Sequence, residues 1–265
     1  MIMIPEEWRQ RIRYHLDPLL AAGRFFKLRR GWDPHVPVFV FQMGKVASSS
    51  IYNSLYESYP GIVVHDHSFR AGHPNLWVRK LHRWYHKAEK RPLKIISPVR
   101  EPVGRNVSAF FHNFERDTGV PYREHTFSLE ELRTLFLENY PHRIPLIFFD
   151  KMEKHFGIDV YAHPFPRDKG WRVLENGRGV ELLILHHDLP DPQKEKIIGT
   201  FTGLSAFELV NANVGRNKVY AHTYRDFRER VKLPEAYLDR MAGSRYFRHF
   251  YPEETIRQVR EHWEI

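Results

Sequence analysis

Residues 42–50, Gln-Met-Gly-Lys-Val-Ala-Ser-Ser-Ser, set one lysine and three serines among small side chains, directly after the apolar run 36–41. Between a strand and a helix, such a segment suits an anion. Backbone N–H groups of residues 45–49 can converge on it, and a helix N-terminus favours negative charge. Lys45 adds a full positive charge, and Ser48 and Ser49 add hydroxyl donors. Together with Gly44, Val46 and Ala47 they form the first candidate binding set. The plain alternative is a tight turn with a serine helix cap. The segment is not a Walker A loop, which needs G-x-x-x-x-G-K-[ST]. Here Val46 follows the lysine, and residues 39–43 contain no glycine. That departure turns the reading away from nucleotide hydrolysis.

Arg100 closes a third apolar run, 93–99, and Ser108 falls about two turns into the helical pattern that follows. Placed on the same edge of a sheet as Lys45, this pair can grip a second phosphate. A helix-end salt bridge is the alternative for Arg100. His65-Asp66-His67 ends the second apolar run. Imidazole titrates near neutrality and suits removal of a proton from a hydroxyl. His67 is the expected base, with His65 as second choice or orienting partner. Surface histidines or a metal site are the rival readings. A metal would want a further ligand, and His186-His187-Asp188 is the only similar cluster at a strand end. Arg216 and Lys218 lie in a late basic segment.

The elements that must hold these groups follow from periodicity. Residues 36–41, 61–65, 93–99, 181–186 and 207–214 read as strands, mostly continuous apolar runs buried on both faces. Helical patterns lie at 51–58, 74–90, 101–117, 128–139, 145–156 and 191–201, and over most of the chain from Tyr220 on. Ser128 with Glu131 reads as a capping box. Residues 158–175 read as a hairpin or irregular excursion. Strands alternating with helices predict a three-layer α/β/α fold with a central parallel sheet. Ligands of such folds bind at the carboxyl ends of the strands. Residues 1–35 are expected to form a basic, aromatic-rich helical arm, and residues 36–265 a single domain.

Among the 265 residues, Lys and Arg number 41 and Asp and Glu 32, a net charge of +9 that points to anionic partners. The absence of cysteine excludes disulfides, thiolate metal sites and a cysteine nucleophile. The first residues carry charges where a signal peptide needs its apolar core. No apolar run reaches the ~18 residues of a membrane span. A cytoplasmic protein is expected, at most at the inner face of a membrane through the basic arm. The helix around Arg79, Lys80, Arg83 and Lys87 attracts an anionic chain or is a solvated face.

Together, Lys45, Ala47, Ser48, Ser49, Arg100 and Ser108 resemble the site of sulfotransferases that use 3′-phosphoadenosine 5′-phosphosulfate (PAPS). The resemblance implies a P-loop NTPase-like fold, a 5′-phosphosulfate held by the Lys45 loop, and a 3′-phosphate held by Arg100 and Ser108. A late loop with Arg216 and Lys218 would close over that 3′-phosphate. The likeness runs over residues 36–265. It is nearest to a bacterial group named for capsular polysaccharide synthesis, marked by an Asn-Lys-Trp-Tyr-Ser-like segment. Here that segment reads Asn217-Lys218-Val219-Tyr220-Ala221, with Trp and Ser replaced. Some polysaccharide sulfotransferases also carry a His-x-His pair at the place of His65 and His67. The implied activity is sulfuryl transfer to a hydroxyl of a polysaccharide or glycolipid, leaving adenosine 3′,5′-bisphosphate. A sulfuryl group carries less charge than a phosphoryl group, so no metal is expected. The competing classes are an ATP- and Mg²⁺-dependent kinase with a degenerate phosphate loop and a non-enzymatic polyanion-binding module. Binding to nucleic acid is not expected.

Overall fold

The computed structural model describes residues 6–87, 91–123, 126–210 and 219–264, with side chains from residue 18 onward. In chain order, α1 (Glu6–Arg29) leads to β1 (Val38–Phe41), α2 (Ser48–Ser58), β2 (Val63–Asp66), α3 (Leu76–Tyr85) and β3 (Leu93–Val99). Then come α4 (Pro102–His112), α5 (Phe114–Thr118), α6 (Leu129–Asn139) and α7 (Asp150–Phe156). A single 3-10 turn precedes the hairpin of β4 (Trp171–Glu175) and β5 (Val180–His186). Last are α8 (Asp191–Thr202), α9 (Ala221–Arg230), α10 (Glu235–Ala242), α11 (Arg245–Phe250) and α12 (Glu253–Trp263).

The sheet order is β2-β1-β3-β5-β4. The first four strands are parallel, and β4 joins β5 antiparallel at the edge. Alternation along β1 explains why both faces need cover. Val38 and Val40 point into a cluster with Ile51 and Leu55 of α2 and Ile198 of α8. Phe39 and Phe41 point the other way, among Val78 of α3, Met152 of α7 and Phe250 of α11. The result is the expected α/β/α sandwich. A third cluster ties α4 to α6, α9, α10 and α12 through Phe110, Phe136, Phe227, Leu238 and Trp263.

Four sequence expectations change. Residues 207–210 form no strand: the Leu209 N–H donates to Glu195 and the Val210 N–H to Ser54, so side chains take the place of a ladder. Residues 211–214 of that expected strand lie outside the described residues. The edge strand is instead β4, from the stretch read as a hairpin or irregular excursion, and its pairing makes the sheet mixed. The helix expected over 145–156 starts only at Asp150, after a run of turns. Also, the helix expected over 101–117 breaks at Asn113 into α4 and α5.

Because four strands run parallel, the ends of β1, β2, β3 and β5 share one rim. The chain moves from β1 outward to β2, then crosses back to β3 on the other side of β1. That reversal opens a crevice between the loop after β1 and the loop after β3, the usual ligand position in such sheets.

Candidate functional site

The loop after β1 has an unusual backbone. Gly44 has φ 85°, Lys45 φ 62° and Ala47 φ 58°, so two non-glycine residues occupy the left-handed region. Each costs roughly 1–2 kcal/mol against ordinary conformations. Left-handed residues in a turn curl successive N–H groups into a concave anion-binding nest. Ala47 is the cap residue of α2, and no side chain caps that end. The serine-cap alternative is therefore not what this chain does: Ser48 is already the first helical residue.

A buried cation holds the loop in this shape. Arg105, 3 % exposed on α4, donates through Nε to the Gly44 carbonyl at 3.1 Å and through Nη2 to the Met43 carbonyl. Its Nη1 reaches Tyr140 Oη at 2.6 Å and Asn106 Oδ1 at 3.0 Å. Burial lowers its pKa, opposed chiefly by Tyr140. Below the loop, Gln42 is buried and works as a clamp. Its Oε1 accepts from the Gly44 N–H. With that oxygen committed, its amide nitrogen faces His65 Nε2 at 3.2 Å and His67 Nδ1 at 2.7 Å.

The two histidines differ sharply. His65 stacks on Tyr52, with ring centroids 5.1 Å apart, and its Nε2 also meets Ser48 Oγ at 3.0 Å. Burial, and secondarily the neighbouring His67, push its pKa down to about 4. His65 is thus a neutral acceptor, serving Ser48 and Gln42. His67 is exposed, and its Nδ1 lies between the Gln42 amide nitrogen and the Gln42 carbonyl, the latter at 3.1 Å. Either neutral tautomer therefore finds a partner at Nδ1. Asp66 does not touch either ring. It accepts from the N–H groups of His67 and Ser68 and pairs with His73 Nε2 at 3.2 Å.

Arg100 emerges at the end of β3 beside the loop, and its Nη1 donates to the Lys45 carbonyl at 3.2 Å. Tyr246 of α11 pins its backbone, donating to the Arg100 carbonyl at 2.8 Å and accepting from its N–H at 3.2 Å. Next to it, Glu101 caps α4 by accepting from the Gly104 N–H at 2.9 Å. A Cβ at Gly104 would come within 2.1 Å of that carboxylate, so a larger residue would displace the Glu101 side chain from this position. Burial raises the Glu101 pKa, opposed first by Arg100.

All of this opens on one cleft of about 1340 Å³. Gly44, Lys45, Ala47, Ser48, Ser49, His65, His67, Arg100 and Ser108 line it. Val46 does not: its side chain is fully buried in the main core. The Val46 side chain anchors the loop, and its expected part in anion binding is through the backbone N–H. Arg216 and Lys218 lie outside the described residues. The His186-His187-Asp188 cluster sits at the end of β5, two strands beyond β1. His186 is spent on the Phe250 carbonyl at 2.8 Å and a 4.4 Å stack on Tyr251. Among the described residues, no three His, Asp or Glu converge as a metal site.

Residues 124–252 match the NKWYS family model, described as "Putative capsular polysaccharide synthesis protein". No curated protein and no solved structure matches the chain. The matched stretch starts after the loop, the histidine pair, Arg100 and Ser108. It supplies the largely helix-borne side of the lining instead: Tyr140, Lys151, Tyr224, Arg225 and Arg228.

Sequence reading missed most of that side, and Arg105 as well. Lys151 donates to the His67 carbonyl at 3.4 Å, and burial lowers its pKa. Glu229 is the one carboxylate lining the cleft among the described residues. A single charge inside Val-Gly-Arg-Asn-Val-Ser-Ala-Phe-Phe was a readable sign for Arg105, because an arginine there has to be buried with partners. Nothing local marks Lys151, Arg225 or Arg228, whose places depend on how distant helices pack.

Proposed function

We propose that this chain is a sulfotransferase, moving a sulfuryl group from PAPS to a carbohydrate hydroxyl in polysaccharide synthesis. One observation carries the reading: an uncapped helix N-terminus with Lys45, the Arg100–Ser108 pair and an exposed His67 line the same cleft. The similarity of residues 124–252 to capsular polysaccharide synthesis proteins supports the acceptor class. So does the size of the cleft, which exceeds the ~300–1,000 Å³ usual for a small ligand alone and leaves room for a chain-like acceptor.

The donor set fits a nucleotide with negative charge at both ends. The curled loop, Lys45 and Ser49 would take the phosphosulfate end, and Arg100 with Ser108 the 3′-phosphate. Ser48 acts on His65, because that neutral ring accepts at Nε2. As the base, His67 carries its proton on Nδ1, donated to the Gln42 carbonyl, while the Gln42 amide gives its hydrogen to His65 alone; Nε2 is then the accepting nitrogen. His67 then removes the hydroxyl proton as the acceptor oxygen bonds to sulfur. Lys45 neutralises charge on the bridging oxygen as its bond to sulfur breaks, leaving adenosine 3′,5′-bisphosphate. Positioning and charge stabilisation do most of the work in such loose, in-line transfers.

A thermal-shift comparison tests the donor. A ligand of the folded state raises the melting point by mass action. Adenosine 3′,5′-bisphosphate should raise it more than ATP with Mg²⁺ does. The reverse order would favour a kinase, and a response to neither would remove the nucleotide site altogether.

A further inference from the structure

One side of α1 is packed and the other is not. Phe25 and Ala21 are buried, with Phe25 against Trp77 of α3 at 6.1 Å, and Arg24 Nη1 donates to the Gly61 carbonyl at 2.8 Å. On a helix, residues 19, 23, 26 and 30 lie opposite positions 21, 25 and 28. That outward stripe is apolar and cationic rather than polar. Leu19 is 71 % exposed and Phe26 44 %, and Trp32, just past the helix, is 67 % exposed. The Trp32 ring meets Phe26 edge-on at 5.6 Å, and the Arg30 guanidinium lies 5.4 Å over Phe26. Exposed Lys27 flanks the stripe, and residues 18–32 contain no acid. Arg29 adds to a second cationic cluster on α3: after burial, Arg29, Arg83 and Arg79 are what lower the Lys80 pKa.

Each candidate occupant makes a different demand on this surface. A second copy would set like charge against like charge. A soluble polyanion would satisfy the cations and leave Leu19, Phe26 and Trp32 in water. A bilayer with acidic headgroups meets both needs, since aromatic rings settle at headgroup depth while lysine and arginine reach the phosphates. We propose that the outward face of α1 and the turn after it, carrying Leu19, Phe26, Lys27, Arg30 and Trp32, docks on an anionic lipid bilayer surface. This surface is independent of the cleft, and the inference holds whatever reaction the cleft performs.

The test is co-flotation of the full chain with vesicles of phosphatidylcholine alone or mixed with phosphatidylglycerol. Partition should be at least about tenfold stronger onto the mixed vesicles, and should weaken with salt. A Lys27→Glu/Arg30→Glu variant and a Phe26→Ser/Trp32→Ser variant should each lose about tenfold or more. Both pairs are exposed, so melting points should stay at the wild-type value. Should one pair destabilise the fold, the other decides alone. Failure to float with phosphatidylglycerol vesicles overturns the proposal. So does wild-type flotation of the variants, which would put the contact elsewhere on the chain. Heparin binding that matches vesicle binding and survives Phe26→Ser/Trp32→Ser would make the face a polyanion site and also overturn it.

Discussion

The two sides of the cleft are built by different means. On the strand side, residues 42–49 and Arg100 leave the ends of β1 and β3, and buried side chains lock their backbone: Gln42 and Arg105 at the loop, Tyr246 at Arg100. On the helical side, Lys151 projects from α7 and is held by the His67 carbonyl, while Arg225 and Arg228 project from α9. The strand side is a rigid, partly strained cradle for a compact anion. The helical side is a broader cationic surface. A donor that must be held to within fractions of an ångström belongs on the first, and a variable acceptor on the second.

Substitutions should separate the two. The largest effect is expected at His67, where the reaction would meet its base. His67→Ala should lower turnover by ~10²–10⁴-fold while calorimetry still shows the bisphosphate bound. Lost binding with retained chemistry would assign the base elsewhere. Lys45→Ala should cost ~10²–10³-fold in turnover, the scale of one preorganised charge-stabilising donor. Arg228→Ala should cost no more than about tenfold, in the KM for the acceptor, because an exposed charge on a broad surface acts by attraction. Equal effects at Lys45 and Arg228 would erase the distinction between the sides.

Acid should loosen both sides. Burial holds His65 in the cradle and His142 beneath the helical side neutral, each with its pKa lowered to about 4. The unfolded chain takes up those protons near the ordinary value of 6.5, so stability is intact above that pH and falls as pH drops toward 4. Urea midpoints across this window check it, and His65→Gln and His142→Gln should each flatten the slope. The smallest effect is expected at Ala47. Ala47→Gly relieves left-handed strain but loosens the unfolded chain, so it should stabilise by no more than about 1 kcal/mol. A loss of stability there would mean that the loop is not strained.

This division also explains what could be read from sequence. The runs at β1, β3 and β5 announce themselves because strands buried on both faces must be apolar throughout. The ends of β1 and β3 then fix where Lys45 and Arg100 emerge, and the end of the shorter run at β2 fixes where His67 does. β4 was less legible: as an edge strand it has one sheet neighbour, and its pattern is half-buried. Residues 207–214 read as a strand from their apolar residues, yet Glu195 and Ser54 take the N–H groups of Leu209 and Val210. His65 and His67 were indistinguishable in sequence. Only the fold gives one of them Tyr52 and Ser48 as partners and turns the other into the cleft.

The central claim is that Lys45 and Arg100 grip the two ends of one nucleotide. A crystal soaked with adenosine 3′,5′-bisphosphate tests it most directly. One phosphate should sit at the N-terminus of α2 within hydrogen-bond reach of Lys45, and the other between Arg100 and Ser108, with His67 facing the open side of the first. Both phosphates lying against Lys151, Arg225 and Arg228 instead, with the loop vacant, would contradict the account.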